Sequence, residues 1–244
     1  NLLHFLDLVA TGTVCDVVAL KGVNRAFVKQ GLKVFSNRQN TGLRALADAS
    51  GIDSFPSAYH LGFQIGPRIN AGGRVGSSAL GAELLSSDDT YRCQEIATQL
   101  SLYNDERKTI EAEVLEEAKK QAESKIDLDE SPVLIVSGKN WHPGVIGIVA
   151  GRLKDHYSKP TFVISIDEKG IGKGSARSVS GLDIGTLIQA AKQEGLLEAG
   201  GGHAMAGGLS LQEQQLQHFE TFCKTRIEHC IKKEKLDLTP AIKI

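Results

Sequence analysis

The sequence predicts an α/β protein in two parts, and three observations carry that prediction. The second half alternates strand-like apolar runs with amphipathic helical runs, the pattern of a layered α/β domain. The first half shows helical periodicity broken by glycine-rich segments. Between them lies a stretch of about forty residues with no proline or glycine. The 244 residues suffice for two cores, and a hydrophobic fraction of 41% with mixed charge is that of a globular protein.

In the first half, "NLLHFLDLVATG" opens in a helix-like pattern and reads as the continuation of a longer chain cut on its N-terminal side. "NRAFVKQGLKVF" and "TGLRALADASG" read as short amphipathic helices, the second with Thr41 as N-cap and Gly51 as C-cap. "GFQIGPRINAGGRVG" reads as a loop with five glycines, two arginines and an asparagine. The long stretch then starts with Ser87 to Asp89 as capping residues, and Ile96, Leu100, Tyr103, Ile110 and Val114 recur at helical spacing. It reads as a solvated connecting helix, with a coiled-coil arm as the alternative.

After "DLDESP" the periodicity changes. "VLIVSG" reads as a buried strand, "HPGVIGIVAGRLKDHY" as a helix with Pro143 in its first turn, and "PTFVISI" as a second strand. "EKGIGKGSARS" reads as a hairpin, "LDIGTLIQAAKQEG" as a helix capped by Asp183, and "AMAGGLSL" as a strand. A final helix follows, opened by a capping box at Ser210 and Glu213. "LDLTPAIKI" is strand-like with nothing to pair with, which suggests a second cut.

Composition excludes little. The net charge of −1 leaves nucleic acid open as a partner, because binding depends on where the cations sit. The four cysteines are scattered without metal-ligand spacing, and no run approaches a membrane span, so a cytoplasmic protein is expected.

Three glycine-rich loops lie beside polar groups at strand–helix junctions. In "SGKNWHPG" a strand feeds a helix start, with Trp141 and His142 at the turn; His142 is a helix cap or part of an anion site, and Trp141 stacks a base or is buried. In "GKGSARS", Gly172 and Gly174 permit close approach while Ser175, Arg177 and Ser178 supply donors; it is a hairpin turn or a phosphate cradle. In "EAGGGHAMAGGLSL", Gly200 to Gly202 offer main-chain N–H groups beside His203. Bare amides, a hydroxyl, a guanidinium and an imidazole suit a phosphodiester. In the first half Asp16 sits in the apolar run "ATGTVCDVVAL", where burial demands a hydrogen bond or a cation; it is a turn cap or a ligand for Mg²⁺ or Mn²⁺. "GPRINAGGR" places Arg68, Asn70 and Arg74 where they wrap an anion or form an ordinary turn.

These segments, together with "WHPGVIGIVAGRL" and the long helix, closely resemble the RecJ family of the DHH phosphoesterase superfamily, bacterial 5′→3′ exonucleases specific for single-stranded DNA. The resemblance runs in order over nearly the whole chain. It implies that residues 1–86 are the later part of a DHH catalytic domain and 87–127 a connecting helix. Residues 128–236 would be a DHH-associated domain and 237–244 the first strand of a truncated OB-fold. It further implies that Asp16 is one ligand of two Mn²⁺ or Mg²⁺ ions, and that Asn70, Arg74 and Arg68 lie against the scissile phosphate. Ser175 and Arg177 would hold the 5′ phosphate, and His203 with the amides of Gly201 and Gly202 would touch the backbone near the cut. His142 is counted with the substrate contacts. Implied partners are single-stranded DNA with a 5′ phosphate and a single-strand-binding protein or helicase, for a monomer with no membrane association. The chain departs from the family at Ala19, where proline is usual, and at Gly73, where alanine is usual. The Asp-His-His motif and the other acidic ligands are not in it, so the chain alone is expected not to hydrolyse DNA. The alternatives are a DHH phosphodiesterase acting on short RNA or cyclic dinucleotides, and a non-catalytic nucleic-acid-binding module.

Overall fold

The computed structural model describes residues 2–125 and 130–234, so the strand expected at 237–244 lies outside the described residues. The chain divides into two compact units, Asn1–Lys108 and Thr109–Ile244, with the boundary inside one long helix.

The first unit is all helical. Helix α1 (Leu6–Cys15) packs on α2 (Gly22–Ser36), followed by α3 (Thr41–Ala49). The helical turn α4 (Ala58–His60) passes through a π-helical turn (Leu61–Ile65) into α5 (Gly66–Val75), then α6 (Ala79–Ser86). Leu43, Leu46, Leu61, Ile65, Leu84, Ile96 and Leu100 form its core. Asn40, not Thr41, caps α3, its side chain accepting from the Leu43 amide at 2.8 Å; Thr41 is the first helical residue. Gly51 follows with φ +68°, the left-handed conformation that closes a helix.

The glycine-rich stretch expected to be a loop is helix α5. Pro67 lies in its first turn, directly after the π-helical turn that carries the helix from α4 into α5. Two of its three glycines admit close protein contact: a Cβ on Gly66 would lie 2.6 Å from Cys15 Sγ, and one on Gly72 would lie 2.8 Å from the Ser77 carbonyl.

Helix α7 (Thr90–Glu123) has 34 residues, a length of about 51 Å at the usual rise. Asp89 caps it by accepting from the Arg92 amide.

The second unit is a three-layer α/β/α domain. Its five strands are β1 (Leu134–Lys139), β2 (Thr161–Ile166), β3 (Ile171–Arg177), β4 (Ala199–His203) and β5 (Ala206–Gln212). They lie in the order β1-β2-β3-β5-β4, with β1 and β2 parallel and the other pairs antiparallel. Side chains of Phe162, Ile164, Ala176, Leu209 and Leu211 point to one face, toward α9 (Ile184–Gln193) and α10 (Leu216–Glu234). On α10, Phe219, Cys223 and Ile227 recur every four residues, and Phe219 meets Phe162 edge-on at 5.3 Å. The opposite face, through Leu134, Val136 and Val163, meets α8 (Pro143–Tyr157) and Val114, Ala118 and Ala122 of α7. β1 is an edge strand, and Gln121 covers it: its amide group donates to the Ser137 carbonyl and accepts from the Ser137 amide, as a neighbouring strand would.

Phe219→Ala removes a fully buried ring and should cost the second unit about 3–5 kcal/mol. Urea unfolding followed by circular dichroism measures it; a loss below about 1 kcal/mol would show that this core does not depend on the aromatic pair.

Candidate nucleic-acid interface

The antiparallel register fixes which side chains share the open face of the sheet. Residues paired across strands point the same way. Ser175 pairs with Gly208, which pairs with Gly201. Arg177 pairs with Ala206, which pairs with His203. Ser175, Arg177, Gly201 and His203 therefore stand on one face, the face on which α8 covers β1 to β3.

At the edge of α8 the groups converge. A Cβ on Gly147 would lie 3.1 Å from both Ser175 Oγ and Arg177 Nη2, so the hydroxyl and the guanidinium both border the space where that helix has no side chain. Gly147 is the residue that sequence reasoning passed over; the available signal was a glycine in a helix interior, which costs about 1 kcal/mol relative to alanine. Arg177 is half-buried, and burial pushes its guanidinium below the ordinary arginine value, although it stays charged. It donates to the Ala176 carbonyl at 2.8 Å, and no carboxylate among the described residues pairs with it. A desolvated cation with only a neutral acceptor attracts an anion strongly.

The glycines divide into two sets. Gly200 and Gly207 face α9, where a Cβ on Gly200 would lie 2.7 Å from Ile188 and one on Gly207 would overlap the same side chain. A Cβ on Gly202 would collide with the Ala206 carbonyl. Gly172 and Gly174 likewise meet Ile164, Leu209 and Leu211. These five are small because protein approaches them. Gly208 is exposed and a Cβ there would meet nothing closer than 3.8 Å, so its surface is open to a ligand.

The segment Gly200–His203, expected as a loop, lies in strand β4 at the sheet edge. Successive amides of an edge strand alternate between its partner and the outside. Gly201 and Gly202 therefore cannot both turn their N–H groups outward. His203 is exposed, and its Nδ1 donates to the Ala206 carbonyl at 2.9 Å, since a carbonyl only accepts. Nε2 then faces solvent as an acceptor when the ring is neutral, and it donates to a phosphate oxygen only when the ring is doubly protonated.

At the start of α8, His142 is the N-cap: Nδ1 accepts from the Gly144 amide at 3.0 Å and its carbonyl accepts from the Val145 amide at 3.1 Å. Two amides of that helix start are thus already bonded. Trp141 is buried, not available to stack, and its indole N–H donates to Glu117 at 2.6 Å. Ser178 is buried too, its hydroxyl donating to the Leu182 carbonyl at 2.7 Å.

In the first unit Asp16 is exposed and ends α1, its amide donating to the Gly12 carbonyl; the burial cost inferred from its apolar neighbours does not arise. Val17 follows at φ +56°, a conformation that a β-branched residue rarely adopts. The buried acid is Asp7, whose carboxyl is pushed up by burial while it accepts from the Leu8 amide. On α5, Arg68 is committed to protein: it donates to Ser101 Oγ at 3.2 Å and to the Gln64 carbonyl at 2.8 Å. Asn70 and Arg74 lie one turn apart on α5, so they share a face.

Among the described residues no three His, Cys, Asp or Glu side chains lie close enough together to hold a metal ion. Asp16 offers hard oxygen suited to Mn²⁺ or Mg²⁺, but one carboxylate does not make a site. The described residues do not fit a divalent centre on their own. No helix among them is long and apolar enough to cross a membrane.

A mixed sheet between helical layers defines a domain class, and residues 130–230 match the family model of the DHHA1 domain. Over nearly its whole length the chain is similar to proteins named RecJ. It is 37% identical over 243 residues to the single-stranded-DNA-specific exonuclease RecJ of Haemophilus influenzae, covering 97% of this chain and 42% of that protein. The Bacillus subtilis protein of the same name is 36% identical, with 87% and 27% covered. Among solved structures, RecJ of Thermus thermophilus in complex with Mn²⁺ superimposes with a TM-score of 0.81 at 33% identity, covering 93% of this chain and 33% of that one. An exonuclease RecJ bound to manganese gives 0.80 at 31%, covering 97% and 58%. The chain spans less than half the length of the curated relatives it matches.

Cys15, beside Asp16, has its thiol pushed up to about 11 by burial, and it donates to the Leu61 carbonyl. A pKa raised by folding gives a contribution that is whole below the unfolded value near 9 and lost as pH rises through 11. Cys15 should therefore resist iodoacetamide at pH 8 and react as pH approaches 11, read by peptide mass mapping. Rapid labelling at pH 8 would contradict its packing against the π-helical turn.

Proposed function

We propose that this chain supplies the phosphate-gripping part of a 5′→3′ exonuclease specific for single-stranded DNA, acting in bacterial DNA repair and recombination. The observation that carries the reading is the half-buried Arg177 guanidinium, without a carboxylate partner among the described residues, which borders Gly147 together with Ser175 Oγ. In this reading residues 128–236 are the DNA-binding domain, 1–86 the later part of a catalytic domain, and 87–127 the helix between them. Ser175 and Arg177 hold the 5′ phosphate in a charge-assisted, fork-like contact. The strand then crosses the exposed surface of Gly208 toward β4, where the outward amide of Gly201 or Gly202 and the Nε2 of His203 meet the next phosphate. Asn70 and Arg74 face the scissile phosphate.

The relatives named RecJ are described as exonucleases of single-stranded DNA, and solved relatives contain Mn²⁺ or Mg²⁺. The proposed activity takes the same ions, with Asp16 as one ligand and the remaining ligands beyond the described residues. A cytoplasmic monomer meeting a single-strand-binding protein or a helicase completes the reading. The contacts address backbone and not base edges, so no sequence preference is proposed.

Fluorescence anisotropy with 5′-phosphorylated and 5′-hydroxyl oligonucleotides tests it. The chain should prefer the phosphorylated strand, and Arg177→Ala should lower that affinity about tenfold and abolish the preference. Log affinity should fall linearly with log salt as counterions are released. Equal affinity for both strands, or no salt dependence, would refute the phosphate assignment. In a nuclease assay with Mn²⁺, the chain by itself should release no nucleotide above background. Robust turnover would show that its own residues complete a metal centre.

A further inference from the structure

The open face of the sheet continues past Ser175. Lys173 is two residues earlier on β3, so its side chain leaves the same face, with its Cα about 6.7 Å from that of Ser175 at the usual strand rise. It is exposed, and its cross-strand partners on that face are Ser165 and Ser210. The Ser165 hydroxyl is turned away to the Trp141 carbonyl. Along β3, β5 and β4, the positions sharing this face hold Lys173, Arg177 and His203 and no carboxylate. By contrast, the lysines at 108, 120 and 154 each meet an acid within their own helix. Lys173 has no such partner among the described residues, and a lysine side chain is long enough to reach across the step to Ser175.

The charge of the ligand decides what a second cation is for. An internal phosphodiester carries one negative charge, which Arg177 alone balances. A terminal phosphate monoester carries about −1.5 to −2 near neutral pH. The geometry points to Lys173 as the residue that makes the Ser175–Arg177 corner select a strand's terminal phosphate over an internal one. This rests on the phosphate reading of that corner and deepens it: the corner recognises the end of a strand because it holds two cations, a fork at Arg177 and a mobile point charge at Lys173.

The test uses the chain with three oligonucleotides of one sequence: 5′-phosphorylated, 5′-hydroxyl, and a circle with internal diesters only. Lys173→Ala should weaken binding of the phosphorylated strand about tenfold while changing the other two less than twofold. Lys173→Arg should restore the preference, and Lys192→Ala, on the last turn of α9, should leave all three affinities unchanged. Lys173→Gln supplies a second neutral variant should the alanine variant misfold, and circular dichroism checks each. Equal weakening of all three ligands by Lys173→Ala would make Lys173 a general backbone contact and overturn the inference. So would a retained preference for the phosphorylated strand. If wild type itself shows no preference, the phosphate reading of the corner falls with it. A wild-type preference that survives in Lys173→Ala and is lost in Arg177→Ala sinks the Lys173 inference alone.

Discussion

A period of two governs the second unit. In an antiparallel ladder each residue's face is set by its register, and β3, β5 and β4 use that alternation without a slip from Ile171 to Gln212. One set of positions is apolar or reduced to glycine so that α9 and α10 can press close. The other set holds the hydroxyl, the guanidinium and the imidazole in adjacent rows. A shift of one residue would bury Arg177 against Phe162 and Ile164 and turn Ala176 outward. The hydrophobic core therefore enforces the binding face: the burial that fixes register also aims the polar groups.

The chemistry of the corner follows from incomplete neutralisation. A half-buried cation is tolerated when something offsets its lost hydration, and Arg177 finds only the Ala176 carbonyl within the described structure. The surface arginines behave otherwise: Arg92 meets both Glu83 and Glu95, and Arg38 meets Asp48. Such exposed pairs contribute little to stability, yet they remove a cation from use by a ligand. Leaving Arg177 without an acid keeps its charge available, and the absence of a side chain at Gly147 keeps the space beside it.

Much of this organisation was legible in the residues. Pro143 and His142 marked the start of α8, Asp183 the start of α9, and the change of period after Pro132 marked the sheet. The glycines misled twice, for one reason. In "GPRINAGGR" and "EAGGGH" their number suggested loops, but a helix and a strand use glycine where another element approaches too closely for a Cβ, as Cys15 does at Gly66 and Ile188 does at Gly200. That approach comes from residues distant in sequence, so no local pattern reveals it. The same limit applies to Asp16, whose apolar neighbours suggested burial: the chain turns there at Val17, and the carboxylate is left exposed. Arg68 could not be separated from Asn70 and Arg74 by composition, because its hydrogen bond to Ser101 joins positions 33 residues apart. Which glycines remain open, Gly208 above all, required the register.

The central claim is that Ser175 and Arg177 together grip a terminal phosphate on the open face of the sheet. A crystal structure of the chain with a short 5′-phosphorylated oligonucleotide tests it most directly. The terminal phosphate should lie within hydrogen-bond reach of Ser175 Oγ and the Arg177 guanidinium, against Gly147, with the strand passing over Gly208. A phosphate seated elsewhere on the second unit, with that corner unliganded, would contradict the account.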